Sequence, residues 1–96
     1  MSDVINQAVE TLNAKLGDDG FDGSVKVEIT GEGSLVVDSN GARAGDEETD
    51  CTLTADAETF VGMMDGDVNP TSAFMTGKLA VDGDMGVAMK LGTLLA

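Results

Sequence analysis

The stretch from Asn69 to Leu91, NPTSAFMTGKLAVDGDMGVAMKL, constrains this chain more than any other. It fits two helix starts and a strand into little more than twenty residues. Asn69 supplies a capping oxygen, and Pro70 fits the first helical position, where a missing N–H costs nothing. Lys78–Val81 then reads as a strand, and Asp84 caps a last helix, Met85–Leu95. Two of the three phenylalanines and five of the six methionines lie between Phe60 and Met89. Lys90 is the only charge on the last helix, which is otherwise apolar nearly all round. A helix of that kind must be covered on most sides. The sheet can cover one face, and something else has to cover the other. At ~1.5 Å per residue it is too short to cross a bilayer.

The remainder of the chain prepares for this segment. Val4, Ile5, Ala8, Val9, Leu12 and Leu16 recur with helical spacing, which predicts an amphipathic helix over residues 2–16, capped by Ser2 or Asp3 and ended by Gly17. Asn6, Glu10 and Asn13 fall off its apolar stripe. The turn-rich, acidic stretch of residues 17–23 is a solvated loop in which Phe21 anchors the chain to the core. Val25, Val27 and Ile29 alternate with Lys26, Glu28 and Thr30, as a strand with one dry face does. A second strand, Leu35–Asp38, and a short third, Ala42–Gly45, flank the hairpin signal Asn40-Gly41. The acidic run Asp46–Asp50 reads as a solvated link to a fourth strand on which Cys51, Leu53 and Ala55 alternate. Asp56 then caps a helix whose buried side is Phe60, Val61, Met63 and Met64, and Gly66 ends it. The order is helix, four strands, two helices, strand, helix, expected as a single domain over residues 1–96.

Charge and composition exclude whole classes of function. Eighteen acidic residues against five basic ones give a net charge of −13. Nucleic acid is therefore not a partner, because phosphates require Lys/Arg clusters. An anionic membrane surface repels the chain, and stable membrane insertion is not expected. With no histidine, neither a Ser–His–Asp nor a Cys–His arrangement can form within the chain. The lone Cys51 sits on an apolar register and reads as an inert core thiol. The acidic turns at residues 17–23 and 65–69 lack the calcium-loop spacing, and in the second Pro70 stands where the loop needs glycine. Neither a metal site nor a cofactor is expected, and an enzyme is not.

From Cys51 to Leu91 the chain resembles the sterol carrier protein type 2 (SCP2) lipid-binding domain. The pattern NPxxAFxxGKLxxxGDMGxAMKL, standing at Asn69–Leu91, carries the resemblance. It implies an α+β fold: a five-stranded, mostly antiparallel sheet with helices packed on one face. It also implies an apolar tunnel between sheet and helices for a fatty acid, an acyl chain or a sterol. Phe60, Met64, Phe74, Met75, Met85, Met89 and Leu94 are the residues expected to line it. Methionine suits such a wall, because its flexible thioether adapts to varied ligands. The negative charge makes acyl-CoA, with its phosphates, a less natural ligand than a neutral lipid or a fatty acid. The first helix lacks the basic face of a membrane-docking helix. Leu95-Ala96 is not the Ala-Lys-Leu ending of the peroxisomal carriers, so the expected location is cytoplasmic. Non-catalytic lipid binding or transfer is the first expectation. The alternative is a protein-interaction module whose last helix pairs with a second copy, giving a homodimer rather than a monomer, or docks on a lipid-metabolising enzyme.

Overall fold

A computed structural model describes residues 3–95. The order is α1 (Asp3–Leu16), β1 (Val25–Thr30), β2 (Gly33–Asp38), β3 (Gly41–Ala44), β4 (Cys51–Asp56), α2 (Ala57–Asp65), α3 (Pro70–Met75), β5 (Leu79–Gly83) and α4 (Met85–Leu95). The strands form one sheet in the order β3-β2-β1-β4-β5. Every pairing is antiparallel except that of β1 with β4. The fold is thus α+β with a mostly antiparallel five-stranded sheet and helices on one face, as the resemblance implied. The cap expected from Ser2 lies outside the described residues.

Register explains why one face is dry. One row across the sheet reads Ala42–Val37–Val25–Cys51–Gly83, and the next reads Ala44–Leu35–Val27–Leu53–Val81. A third runs Gly33–Ile29–Ala55–Leu79. Val25, Val27, Leu35 and Val37 are fully buried. Ile5, Ala8, Leu12 and Leu16 of α1 pack on the β1–β3 side of this surface with the same spacing that predicted the helix. Gly17 ends α1 with φ +64°, and Phe21 is buried beyond it, as expected.

The outer face is closed by charge. Val36 points away from the helices yet is only 1% exposed. Its cross-strand neighbours are Lys26 and Arg43, whose aliphatic stems flank it. Arg43 donates to both oxygens of Asp38, at 3.0 and 2.9 Å, and to Glu47. Lys26 donates to Asp46 at 2.9 Å. The run Asp46–Asp50 is therefore not a freely solvated link. Ser24 and Asp50 exchange hydrogen bonds, and Asp46 and Glu47 neutralise the two cations that cover Val36.

One further expectation is corrected, and Asn13 gains a role. The hairpin turn is Ser39-Asn40, one residue before the Asn-Gly pair, because Asp38 pairs with Gly41. Asp38 Oδ1 accepts the Asn40 N–H and fixes this turn. Gly41, at φ +104°, opens β3, where a Cβ would come within 2.7 Å of Asn13 Oδ1. Asn13 is not an idle polar residue of α1. Its Oδ1 accepts the Ala42 N–H at 2.8 Å and its Nδ2 donates to the Ala42 carbonyl at 2.9 Å. It thereby completes the backbone of an edge strand and locks α1 to the sheet.

Candidate functional site

The two helices after β4 are positioned by caps that the sequence announces. Asp56 accepts the Thr59 N–H at 2.7 Å and starts α2, which turns Phe60, Met63 and Met64 down into the core. Gly66, left-handed at φ +85°, ends α2. Asn69 Oδ1 accepts the Thr71 and Ser72 N–H groups, with Pro70 in the first turn of α3. Ala73 is buried beneath that helix, and the Lys78 N–H bonds to its carbonyl, which turns the chain into β5. β5 lies along β4 from Ala55↔Leu79 to Cys51↔Gly83, beginning one residue later and ending two later than expected. The Asp84 N–H then bonds to the Asp50 carbonyl, and its Oδ1 caps α4 through the Gly86 and Val87 N–H groups.

These placements leave a gap between α3 and α4. The cleft holds about 290 Å³. Its floor is the helix-facing side of β4 and β5, with Leu53, Leu79 and Val81, and Met63 of α2. Pro70, Thr71 and Phe74 form one wall. Met85, Ala88, Met89, Gly92, Thr93 and Leu95 of α4 form the other. The walls approach at one point, where a Cβ on Gly92 would sit 3.4 Å from Pro70 Cβ.

The lining has no ionisable side chain; its polar members are Asn69, Thr71 and Thr93. Asn69 Oδ1 is engaged by the α3 cap, and the Thr93 hydroxyl donates to the Met89 carbonyl of its own helix. Lys90 extends elsewhere, to Asp22 at 3.2 Å. Lys78 is exposed and is not part of the lining. The Cys51 thiol is buried 2% exposed, and burial raises its pKa, helped by the carboxylates of Asp84 and Asp50. A thiol held protonated this way is a poor nucleophile. Among the described residues, no group of three or more His, Cys, Asp or Glu is placed to hold a metal ion. No described helix is long and apolar enough to cross a membrane.

Of the seven residues expected at the site, the structure brings Phe74, Met85 and Met89 together in the cleft. Phe60 is fully buried and Met64 is 7% exposed; both belong to the core behind the cleft. Leu94 is half-buried against that core. Met75 is 79% exposed on α3 and outside the lining. Sequence reading missed Leu53, Met63, Leu79 and Leu95. They carry the same apolar, periodic signal as any core residue, so only the gap above them distinguishes them.

Comparison with known proteins places the chain in a family and agrees with its fold. A family model described as the SCP-2 sterol transfer family matches residues 4–96. Sterol carrier protein 2 of Homo sapiens is 40% identical over 84 residues, covering 86% of this chain and 14% of that protein. Peroxisomal multifunctional enzyme A of Dictyostelium discoideum is 45% identical over 65 residues, 68% of this chain and again 14% of the relative. The chain thus spans a small part of these curated relatives. In fold it is similar to the solution structure of sterol carrier protein-2 from Aedes aegypti in complex with the C16 fatty acid palmitate. That likeness has a TM-score of 0.80 at 20% identity and covers 100% of this chain and 97% of the other.

Proposed function

The chain belongs to the SCP-2 sterol transfer family, whose members bind and transfer lipids, and from that premise we propose that it shelters one apolar lipid chain in the α3–α4 cleft without chemical change. The observation that carries this reading is the cleft itself: about 290 Å³ with no ionisable lining side chain. Methylenes moved from water into such a lining are each worth ~0.8 kcal/mol, so four of them tighten binding by roughly two orders of magnitude. Contacts of this kind have no direction, and tolerance of chain length and shape follows. A protein of the same fold holds palmitate, which supports a fatty acyl chain as one ligand. Phe74, Met85 and Met89 are the proposed contacts from the wall, and Leu53, Met63 and Leu79 those from the floor. The cleft lining holds no carboxylate, amine or thiol, and the chain has no histidine, so no acid–base pair or activated nucleophile stands at the site, which supports a carrier rather than an enzyme.

Charge refines the ligand class. No cation lines the cleft, and the net charge is −13. A carboxylate head group meets a repulsive field, whereas an alcohol or ester does not. The delipidated protein is expected to take up one palmitate or one hexadecanol, read by native mass spectrometry, since it has no Trp or Tyr to report binding. Raising salt should strengthen palmitate binding and leave hexadecanol unmoved, because screening acts only on the charged head. Gly92→Leu, which puts a branched side chain into the cleft opposite Pro70, should reduce uptake of both at least tenfold. A delipidated protein that binds neither lipid would end this reading.

A second reading rests on Met75, exposed beside the cleft but outside its lining. The α3–α4 surface would then dock on a second copy or on a lipid-metabolising enzyme. A dimer in sedimentation analysis that Met75→Glu dissociates would favour it.

A further inference from the structure

The methionines of the last third differ in two independent respects, exposure and position. Met85 and Met89 are 43% and 66% exposed and also line the cleft. They lie four residues apart on α4, one turn from each other on the same side. Met63 lines the cleft but is fully buried, and Met64 is buried in the core. Met75 is the most exposed of all and lines nothing. An oxidant in water therefore reaches Met75, Met85 and Met89, and only the last two bear on the cleft.

We propose that Met85 and Met89 are a modification site at which a peroxide empties the cleft, and at which a bound lipid blocks the peroxide. The chemistry needs only hydrogen peroxide or an organic hydroperoxide. A thioether lone pair forms the new S–O bond as the O–O bond breaks, and a proton transfer lets the distal oxygen leave as water or alcohol. Sulfur is oxidised by two electrons and the peroxide is reduced by two. The product sulfoxide carries a strong acceptor on a side chain that faces apolar groups. The nearest hydroxyl of α4, that of Thr93, already donates to the Met89 carbonyl. The sulfoxide oxygen then loses its water when lipid enters, swings out and takes its side chain from the wall, or reaches across the cleft to Asn69 or Thr71 and fills the space the lipid needs. Each alternative weakens binding, by about tenfold per sulfoxide on the cost of burying an unsatisfied polar group. Protection follows from the same geometry, since a chain lying between α3 and α4 covers the Met85 and Met89 side chains that line that space. Methionine sulfoxide reductases reverse the change, so the site can act as a switch and not only as a lesion.

The proposal rests on the lipid reading of the cleft, and one experiment separates the two. The delipidated full chain is treated with hydrogen peroxide, sulfoxides are located by peptide mass spectrometry, and palmitate affinity is measured before and after. Met75, Met85 and Met89 are expected to oxidise well before Met63 and Met64. Affinity should fall with the sulfoxides at Met85 and Met89, and saturating palmitate should slow oxidation there but not at Met75. Met75→Leu should remain as peroxide-sensitive as the parent. Met85→Leu/Met89→Leu should lose no further affinity on treatment, whatever affinity it starts from. Equal palmitate affinity with both sulfoxides in place, or no protection by palmitate, overturns the proposal and leaves the lipid reading standing. No uptake by the untreated protein sinks the lipid reading and this proposal with it.

Discussion

The two ends of this chain use apolar residues differently. From α1 to β4 they are mostly β-branched or leucine and most are buried, with even the outward Val36 sealed under Lys26 and Arg43. From α3 to α4 they include Phe74, Met75, Met85 and Met89, all at least 43% exposed. The first region has stiff side chains in a closed core, which specify one packing. The second has flexible side chains around a gap. Hydrophobicity alone does not separate them. The difference lies in whether each apolar surface already has a partner within the fold.

That contrast can be broken by experiment. The largest expected effect is Leu35→Ala, which should cost about 3 kcal/mol in urea unfolding, because a fully buried leucine leaves a cavity. Met89→Ala should cost less than about 0.5 kcal/mol, since most of that side chain already meets solvent. Lipid uptake should rank the pair the other way, with Met89→Ala the weaker binder once the folded fraction is matched. Equal stability losses would mean the cleft is packed like the rest of the molecule. Next comes Asn13→Ala, which leaves the Ala42 N–H and C=O without partners and should cost about 2 kcal/mol. Its effect belongs to the closed region, so palmitate affinity should not follow it.

The smallest expected effect is on acid stability. The hydrogen bonds from Arg43 hold the Asp38 carboxyl below its ordinary 3.8, and the Thr59 N–H does the same for Asp56. A carboxylate with a depressed folded pKa contributes stability above its unfolded value and loses it as pH falls through the folded one. The loss should therefore begin near pH 4 and deepen below it. Because the Arg43 pair is well hydrated, its share should be small. Asp38→Asn should shallow the decline in a thermal-melt series from pH 5 to pH 2. An unchanged slope would show that the clamp over Val36 acts by packing alone.

Much of this architecture was legible in the sequence because local chemistry dictates it. Asp56, Asn69 and Asp84 each cap the helix that their spacing predicted, and Gly17 and Gly66 each end one. Period-two alternation gave β1 to the residue and β4 to within one residue at its end, as the dry face requires. What was not legible depends on residues distant in sequence. Asn13 reads in the sequence only as a residue off the apolar stripe, because its partner, Ala42, is 29 residues away. The turn slipped to Ser39-Asn40 because Gly41 has to lie beneath Asn13 in the strand. Phe60 and Met63 share one helix and full burial, yet only Met63 faces the cleft. Composition marks both as apolar, and only the path of α3 over the sheet decides between them.

The strand order carries one more consequence. β1 is the hub, bonded on one side to its sequence neighbour and on the other to β4, which arrives only after the whole β2–β3 hairpin. β5 joins the sheet through β4 alone, and α4 follows it. Removing β5 and α4 would leave four strands and α1 still paired, whereas removing β1 would split the sheet into two separate pairs, β3-β2 and β4-β5. The molecule is thus divided into a part that must survive and a part that can open by itself, as local unfolding units do. Native-state hydrogen exchange should show β5 amides exchanging well ahead of those of β1; uniform protection would contradict the division. A chain-length ligand then needs no permanent doorway. On the lipid reading proposed above, it would enter and leave through brief fraying of β5 and α4, which join the sheet through β4 alone.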